Sequence, residues 1–214
     1  MIKADNTDPD AKFWNRIAKR YAKQTVTDQL AYETKLAKTD SILQPEDRVL
    51  EIGCGTGSTA IHHAPRVSHI KALDISERMI EIARQKVSVA GISNVEFDVQ
   101  TASVLAYPPQ SFDVVMAHSI LHLMADVDQV LSNIQQMLKP DGLLISSTAF
   151  IRDDYPWLRY IAPLGRKTGL LPRVNVFTEK QFIQWLETAG FIIEERWQPK
   201  PKSGVYIIAR SKGQ

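Results

Sequence analysis

The chain has 214 residues, 44% hydrophobic and 23% charged, with 26 basic side chains against 24 acidic ones. That length and apolar content suit one folded domain and exclude global disorder, and so balanced a charge gives no case for a nucleic-acid partner. A single cysteine, Cys54, excludes an intrachain disulfide and fits a reducing compartment.

The opening "MIKADNTDPDAKFW" is polar and acidic, without the apolar core of a secretory signal. No stretch approaches the roughly 20 apolar residues of a membrane span, so a soluble, cytoplasmic protein is expected. Asp10 is placed to cap a helix over "AKFWNRIAKRYAKQ", with Phe13, Ile17 and Tyr21 at helical spacing. A second helix runs through "DQLAYETKLAKTDSIL" and stops before Pro45. The pattern then changes. "RVLEIG", "HIKALDI", "NVEFDV", "FDVVMAH" and "LLISSTA" read as strands, and "STAIHHAP", "SERMIEIARQKVSVAG" and "DVDQVLSNIQQMLKP" as the helices between them. Strands that are nearly all apolar are covered on both faces, and strand–helix alternation marks a doubly wound, mostly parallel α/β sheet of Rossmann-like type. Residues 150–176 break the rhythm with Pro156, Pro163, Pro172, Gly165 and Gly169, which rule out one long helix. A helix over "TEKQFIQWLETAG" follows, capped by Thr178 and stopped at Gly190, and "FIIEERW" and "GVYIIAR" form an antiparallel hairpin across "QPKPKS". The expected organisation is one domain: a helical cap at 1–44, a core at 45–149, a lid-like insertion at 150–176, and a helix with a hairpin at 177–214.

The loop "VLEIGCGTGS" closes the first strand. Ligands of open parallel sheets sit beyond the carboxyl ends of the strands, and Gly53, Gly55 and Gly57 let a ligand approach the backbone there. Asp74 ends the next strand about 20 residues on, where a carboxylate accepts from ribose hydroxyls; it can also cap the helix that opens near Ser76. The dinucleotide fingerprint would need a glycine at Ser58, so a nicotinamide or flavin dinucleotide is the second choice.

"VLEIGCGTG", the aspartate of "ALDIS", "SFDVVMAHSILHLM" and "MLKPDGLLISST" together resemble the class I S-adenosylmethionine-dependent methyltransferases. The similarity is greatest to the small-molecule group that includes ubiquinone and menaquinone methyltransferases, and it covers roughly residues 49–148. The resemblance implies a seven-stranded sheet with an antiparallel last strand, and S-adenosylmethionine as cofactor. It also implies that Glu51 and the loop Gly53, Cys54, Gly55 and Gly57 surround the methionine part. Asp74 would hold the ribose, Ile75 and Met79 would flank adenine, Ala102 and Ser103 would meet its edge, and Ala117 and His118 would border the sulfonium. Tyr21 would face the sulfonium from the N-terminal helix, or simply pack. Two departures stand out. Gln100 and Thr101 occupy positions where the family often has Gly-Asp, and "KPDG" carries Asp141 where the family has glycine.

Methyl transfer from a sulfonium needs alignment more than covalent help, so few residues announce it. His118 is the candidate base, because an imidazole titrates near neutrality; the alternative is that it only bonds the loop. His118 and His122 lack the intervening glutamate of an HExxH zinc site, and no metal is expected. His62 and His63 read as structural or surface residues, and Cys54 as a small loop residue. The 150–176 segment mixes Arg152, Arg159, Arg166, Lys167 and Arg173 with Tyr155, Trp157 and Tyr160. That mixture suits an anionic or amphiphilic small-molecule acceptor, an anionic membrane surface contacted peripherally, or a lid with solvated charges. The Asn/Asp-Pro-Pro-aromatic motif of DNA amino-methyltransferases is absent after the fourth strand, where "MAHS" stands, so DNA is not expected as a partner. A nicotinamide oxidoreductase and a non-catalytic cofactor-binding protein are the competing classes.

Overall fold

The computed structural model describes residues 8–105, 107–155 and 157–213. The first seven residues, Ala106, Pro156 and Gln214, and the side chains of Val104, Leu158, Arg159, Ala162 and Pro163 lie outside what it describes.

Helix α1 spans Pro9–Ala22 and α2 spans Gln29–Asp40. The cap of α1 is Asp8, not Asp10: its carboxylate accepts from the Asp10 amide at 2.7 Å. Pro9 sets this boundary, because its ring fixes φ for the first helical position and that position needs no N–H donor. The buried face of α1 is also one residue off the expected Phe13–Ile17–Tyr21 stripe, for Ala11 and Ala18 are the fully buried positions. Two small side chains two turns apart let α1 sit close on the helix Glu77–Ala90, with its aromatics on the flanks.

The strands are β1 (Arg48–Ile52), β2 (His69–Asp74), β3 (Val95–Val99), β4 (Phe112–His118), β5 (Leu138–Thr148), β6 (Phe191–Trp197) and β7 (Val205–Ser211). They form one seven-stranded sheet in the order β3-β2-β1-β4-β5-β7-β6, with β7 antiparallel to both of its neighbours. Strand order reverses between β1 and β4, which pair in parallel, so a crevice opens at their carboxyl ends. The crossover helices are α3 (Ser58–His63), α4 (Glu77–Ala90) and α5 (Val127–Met137). Each boundary has a local cause. Ser76 caps α4 by accepting from Met79 N at 3.2 Å, and Gly91 ends it in the left-handed region at φ 66°. Thr178 and Gln181 form a capping box at α8 (Glu179–Thr188).

Both sheet faces are buried. Leu50, Ile52, Val115 and Leu144 pack on one face against α5 and α8. Val49, Ile70, Met116 and Ile145 pack on the other with Ala60 of α3 and Ile80 and Ala83 of α4. Each such side chain contributes about 1.5–3 kcal/mol, and together they hold the strand ends that carry the crevice. The 150–176 segment contains two short helices, α6 (Ile151–Asp154) and α7 (Leu158–Lys167). No helix among the described residues is long and apolar enough to cross a membrane.

Candidate functional site

The crevice is a cleft walled by the β1 and β2 loops, the residues after β3 and β4, α1, and the end of the 150–176 segment. Nine of the thirteen residues expected to surround the cofactor line it: Tyr21, Gly53, Gly55, Asp74, Ile75, Met79, Ala102, Ser103 and His118. Glu51, Cys54, Gly57 and Ala117 stand behind this wall.

The three loop glycines turn out to serve different ends. A Cβ on Gly53 would lie 2.7 Å from Ile120, and one on Gly57 would lie 2.7 Å from the Phe97 ring and 2.9 Å from Ala83. Their missing side chains make room for the protein's own packing. A Cβ on Gly55 would meet nothing closer than Tyr21, at 3.8 Å, so its bare backbone faces the cleft. All three have positive φ, a conformation costly for other residues.

Asp74 closes the loop. Its Oδ2 accepts from Gly55 N at 2.9 Å and its Oδ1 from Ser76 N at 2.8 Å. The carboxylate therefore fixes the glycine loop and the entry to α4, and each oxygen keeps a second lone pair for a ligand. Burial raises its pKa against the pull of these amides. Ile75 and Met79 supply an apolar wall beside it, and Met79 is 2% exposed.

Glu51 is 2% exposed on β1, with Oε2 buried and without a hydrogen-bond partner among the described residues. Burial pushes its carboxyl up to about 8, against the opposing field of Lys35, while Asp74 adds to the rise. An orphaned buried carboxyl directly beneath the glycine loop is a group prepared for a cation. Lys35 of α2 is the residue that sequence reasoning missed here. Its own pKa is lowered by burial, and only the alternation between helix and strand, too remote to read, brings it to Glu51.

His118 ends β4 and stacks on Tyr206, with ring centroids 6.5 Å apart. Both ring nitrogens are buried and have no protein partner among the described residues. Burial, with Lys35 and His63 nearby, lowers its pKa well below 6.5, so the imidazole is neutral around pH 7. Burial likewise lowers His122, to about 4. Cys54 is buried, and burial raises its thiol further, which makes it a poor nucleophile. His62 and His63 both bond to Asp40, at 2.9 and 2.7 Å, and Arg66 reaches the same carboxylate at 2.9 Å. A guanidinium already supplies the positive charge there, and none of the four residues lines the cleft.

Several walls were not foreseen. Trp14 and Tyr21 lie two helical turns apart on one flank of α1, their rings 6.3 Å apart, and both line the cleft. Asn15 anchors that helix over the site, accepting from Ser76 Oγ at 2.7 Å and Arg78 N at 3.1 Å. Asp10 ties α1 to the 150–176 segment: it accepts from Arg173 N at 2.8 Å and pairs with Arg166 at 3.3 Å. Pro172 and Arg173 thereby form part of the cleft wall. Asn175 donates to the carbonyls of Met124 and Ala125, each at 3.0 Å, and so orders the loop after β4. Tyr21 was named from the sequence and Trp14 was not, and the Asp10 and Asn175 contacts join residues far apart in the chain. Gln100 and Thr101, which replace the family's Gly-Asp, line the cleft where an adenine edge would lie.

The family model described as "Methyltransferase domain" matches residues 43–187. The uncharacterized methyltransferase YcgJ of Bacillus subtilis (strain 168) is 32% identical over 121 residues, 56% of this chain and 48% of that protein. A ubiquinone biosynthesis O-methyltransferase of Sinorhizobium fredii is 31% identical over 146 residues, 66% of this chain and 57% of that protein. The chain thus spans about half the length of these curated relatives. The crystal structure of the [4+2]-cyclase SpnF superposes with a TM-score of 0.72 at 20% identity, covering 89% of this chain and 84% of that one. The fold is therefore shared with a protein named for a different reaction. The match over residues 43–187 contains the glycine loop, Asp74 and His118, and the chain belongs to the methyltransferase domain family.

Proposed function

We propose that the chain binds S-adenosylmethionine in this cleft and directs its methyl group to a small-molecule acceptor. The observation that carries the reading is the pairing of Gly55 and Asp74: a bare backbone facing the cleft, bonded to a carboxylate that keeps acceptor capacity. The donor set fits the cofactor part by part. Asp74 would accept from the ribose hydroxyls, Ile75 and Met79 would enclose the adenine, and Ala102 and Ser103 would meet its edge beside Thr101, all of them residues that line the cleft. Glu51 offers its orphaned oxygen to the methionine ammonium, with Gly53, Cys54 and Gly57 shaping the loop above it. Tyr21 and His118 would border the sulfonium, with Ala117 behind them.

When bound, the cofactor supplies a methyl carbon already activated by a positive sulfur. What remains for this chain is placement. Trp14 and Tyr21 on α1, together with Pro172 and Arg173, narrow the cleft and exclude water. Alignment of the acceptor's lone pair with the methyl carbon supplies up to about 7–11 kcal/mol of the barrier. His118, held neutral, keeps one nitrogen lone pair for a proton that the acceptor must shed. Arg173 in the wall, and the quinone-pathway name of one relative, favour an anionic or amphiphilic acceptor. The chain then works as one domain, with residues 1–44 and 150–176 closing a core at 45–149, in a cytoplasmic setting.

Calorimetry with S-adenosylmethionine, its demethylated product and NAD tests the first step. NAD binding without an adenosylmethionine signal would overturn the assignment. Because this fold also carries a cyclase, ligand binding alone does not establish the reaction. Mass spectrometry of co-purified metabolites, followed by transfer of a deuterated methyl to the identified acceptor, completes the test.

A further inference from the structure

Trp157, Tyr160, Ile161 and Leu164 recur at i, i+3, i+4 and i+7, the spacing of a stripe that a helix normally buries. Here the stripe is uncovered: these side chains are 56, 69, 47 and 65% exposed. Leu170, just past α7, is exposed by 71%. A contiguous uncovered apolar face of this kind marks an interaction surface.

The neighbouring helix supplies the charge. Lys12, Arg16, Lys19, Arg20 and Lys23 are all exposed along α1. Lys12 and Arg16 share a groove between α1 and α7 with Arg166 and Lys167, and the Arg16 guanidinium lies over the Phe13 ring in that groove at 5.3 Å. The carboxylate at the edge of the groove, Asp10, is engaged by Arg166 and Arg173. Arg16 donates to the Gly169 carbonyl, which fixes the two helices side by side. The basic stripe thus lies on the helix held beside the end of α7, and the apolar stripe on α7 itself.

We propose that this face docks the protein on an anionic phospholipid bilayer. Trp157 and Tyr160 suit the headgroup level, where a polar edge and an apolar ring are both satisfied, and Ile161 and Leu164 reach the acyl boundary. The cations of α1 meet the lipid phosphates, and each basic residue near such a surface raises partitioning on the order of five-fold. A second copy of the chain is the poorer occupant. A two-fold contact through this face would set the basic stripe of α1 against itself. The proposal does not depend on methyl transfer. Were that reading to hold, docking would set the end of the 150–176 segment, and with it the cleft mouth at Pro172 and Arg173, close to the lipid.

The test is co-sedimentation of the full chain with two vesicle preparations, pure phosphatidylcholine and phosphatidylcholine mixed with phosphatidylglycerol. Binding is expected only to the second, and should be released when salt rises from about 0.1 M to about 1 M, which shortens the Debye length from roughly 10 Å to roughly 3 Å. Ile161→Asp/Leu164→Asp tests the apolar arm and Lys12→Glu/Lys19→Glu the charged arm. Each pair should lower the partition coefficient at least ten-fold while the thermal unfolding midpoint stays within a few degrees. Equal binding to both vesicle types, or none to either, overturns the proposal. So does undiminished binding by either folded variant. Sedimentation-velocity dimers that vanish in Ile161→Asp/Leu164→Asp, without vesicle binding by the parent chain, would assign the face to a second copy.

Discussion

Replacing Asp74 with alanine separates its two roles, because the structure gives a magnitude to each. The Gly55 and Ser76 amides lose acceptors now at 2.9 and 2.8 Å. Unpaired buried donors cost about 1–3 kcal/mol each, but the cleft admits water to refill part of this, so the net stability loss is about 2 kcal/mol. For a chain of this size that lowers the unfolding midpoint by roughly 4–8 °C. Binding loses the charge-assisted ribose contacts as well, about 1–3 kcal/mol, or roughly 5- to 150-fold in affinity for S-adenosylmethionine. Ser76→Ala is the control. It removes the cap on Met79 N, worth about 1 kcal/mol, and the Ser76 Oγ bond to Asn15, while Asn15 still holds the Arg78 amide and Asp74 is untouched. It should lower the unfolding midpoint by a few degrees and leave affinity nearly unchanged. Calorimetric titration of both folded variants decides the matter. If Asp74→Ala binds as tightly as the parent chain, Asp74 is a helix cap and loop brace only, and the cofactor's ribose is held elsewhere.

Gly55→Val should abolish S-adenosylmethionine binding in a soluble protein, whereas Gly57→Ala should strike the fold first through Phe97 and Ala83; tight binding by Gly55→Val would move the cofactor out of this cleft. Glu51→Gln should weaken S-adenosylmethionine binding yet stabilise the ligand-free protein at alkaline pH. The folded carboxyl, at about 8, lies above its ordinary 4.5, so its contribution is present below 4.5 and lost as pH rises through 8. The glutamine variant escapes that loss, a gain on the order of 5 kcal/mol near pH 9, and parallel melting curves at acid and alkaline pH would refute it. His118 has its pKa held well below 6.5, so turnover should show no step near that value, and a limb there that disappears in His118→Gln would show that the imidazole titrates in the complex. Singly replacing Arg152, Arg159, Arg166 and Arg173 with alanine should leave S-adenosylmethionine affinity nearly unchanged and impair turnover in at least one case. Full turnover in all four would move the acceptor site towards α1 and His118.

The sheet was legible because its signal is local. Apolar runs such as "VLEI" and "IKALD" need cover on both faces, and the intervening helices carry their own caps, Ser76 and Thr178 among them. The cleft was legible only where one loop and one strand end make it. The sequence shows three glycines in "GCGTG" but not that Gly53 yields to Ile120 and Gly57 to Phe97, because those contacts cross the fold. Tyr21 was visible and Trp14 was not, since reading Phe13, Ile17 and Tyr21 as the buried stripe of α1 gives large residues the place that Ala11 and Ala18 take.

The same rule of periodicity misleads at α7, and for an informative reason. An apolar residue at every third or fourth position predicts a helix and a buried face, but it says nothing of what does the burying. On α5, Val127, Val130, Leu131 and Ile134 satisfy that pattern and are 1, 2, 0 and 0% exposed, because the sheet lies against them. On α7 Trp157, Tyr160, Ile161 and Leu164 satisfy it as well and meet no sheet. Exposed apolar surface raises free energy by about 25 cal/mol per Å², so a helix built to this pattern and left uncovered favours any surface that can cover it. The groove beside it holds Lys12, Arg16, Arg166 and Lys167, and that charge narrows the choice of cover to an anionic one. The pattern that elsewhere in this chain encodes the core is, on α7, turned outward.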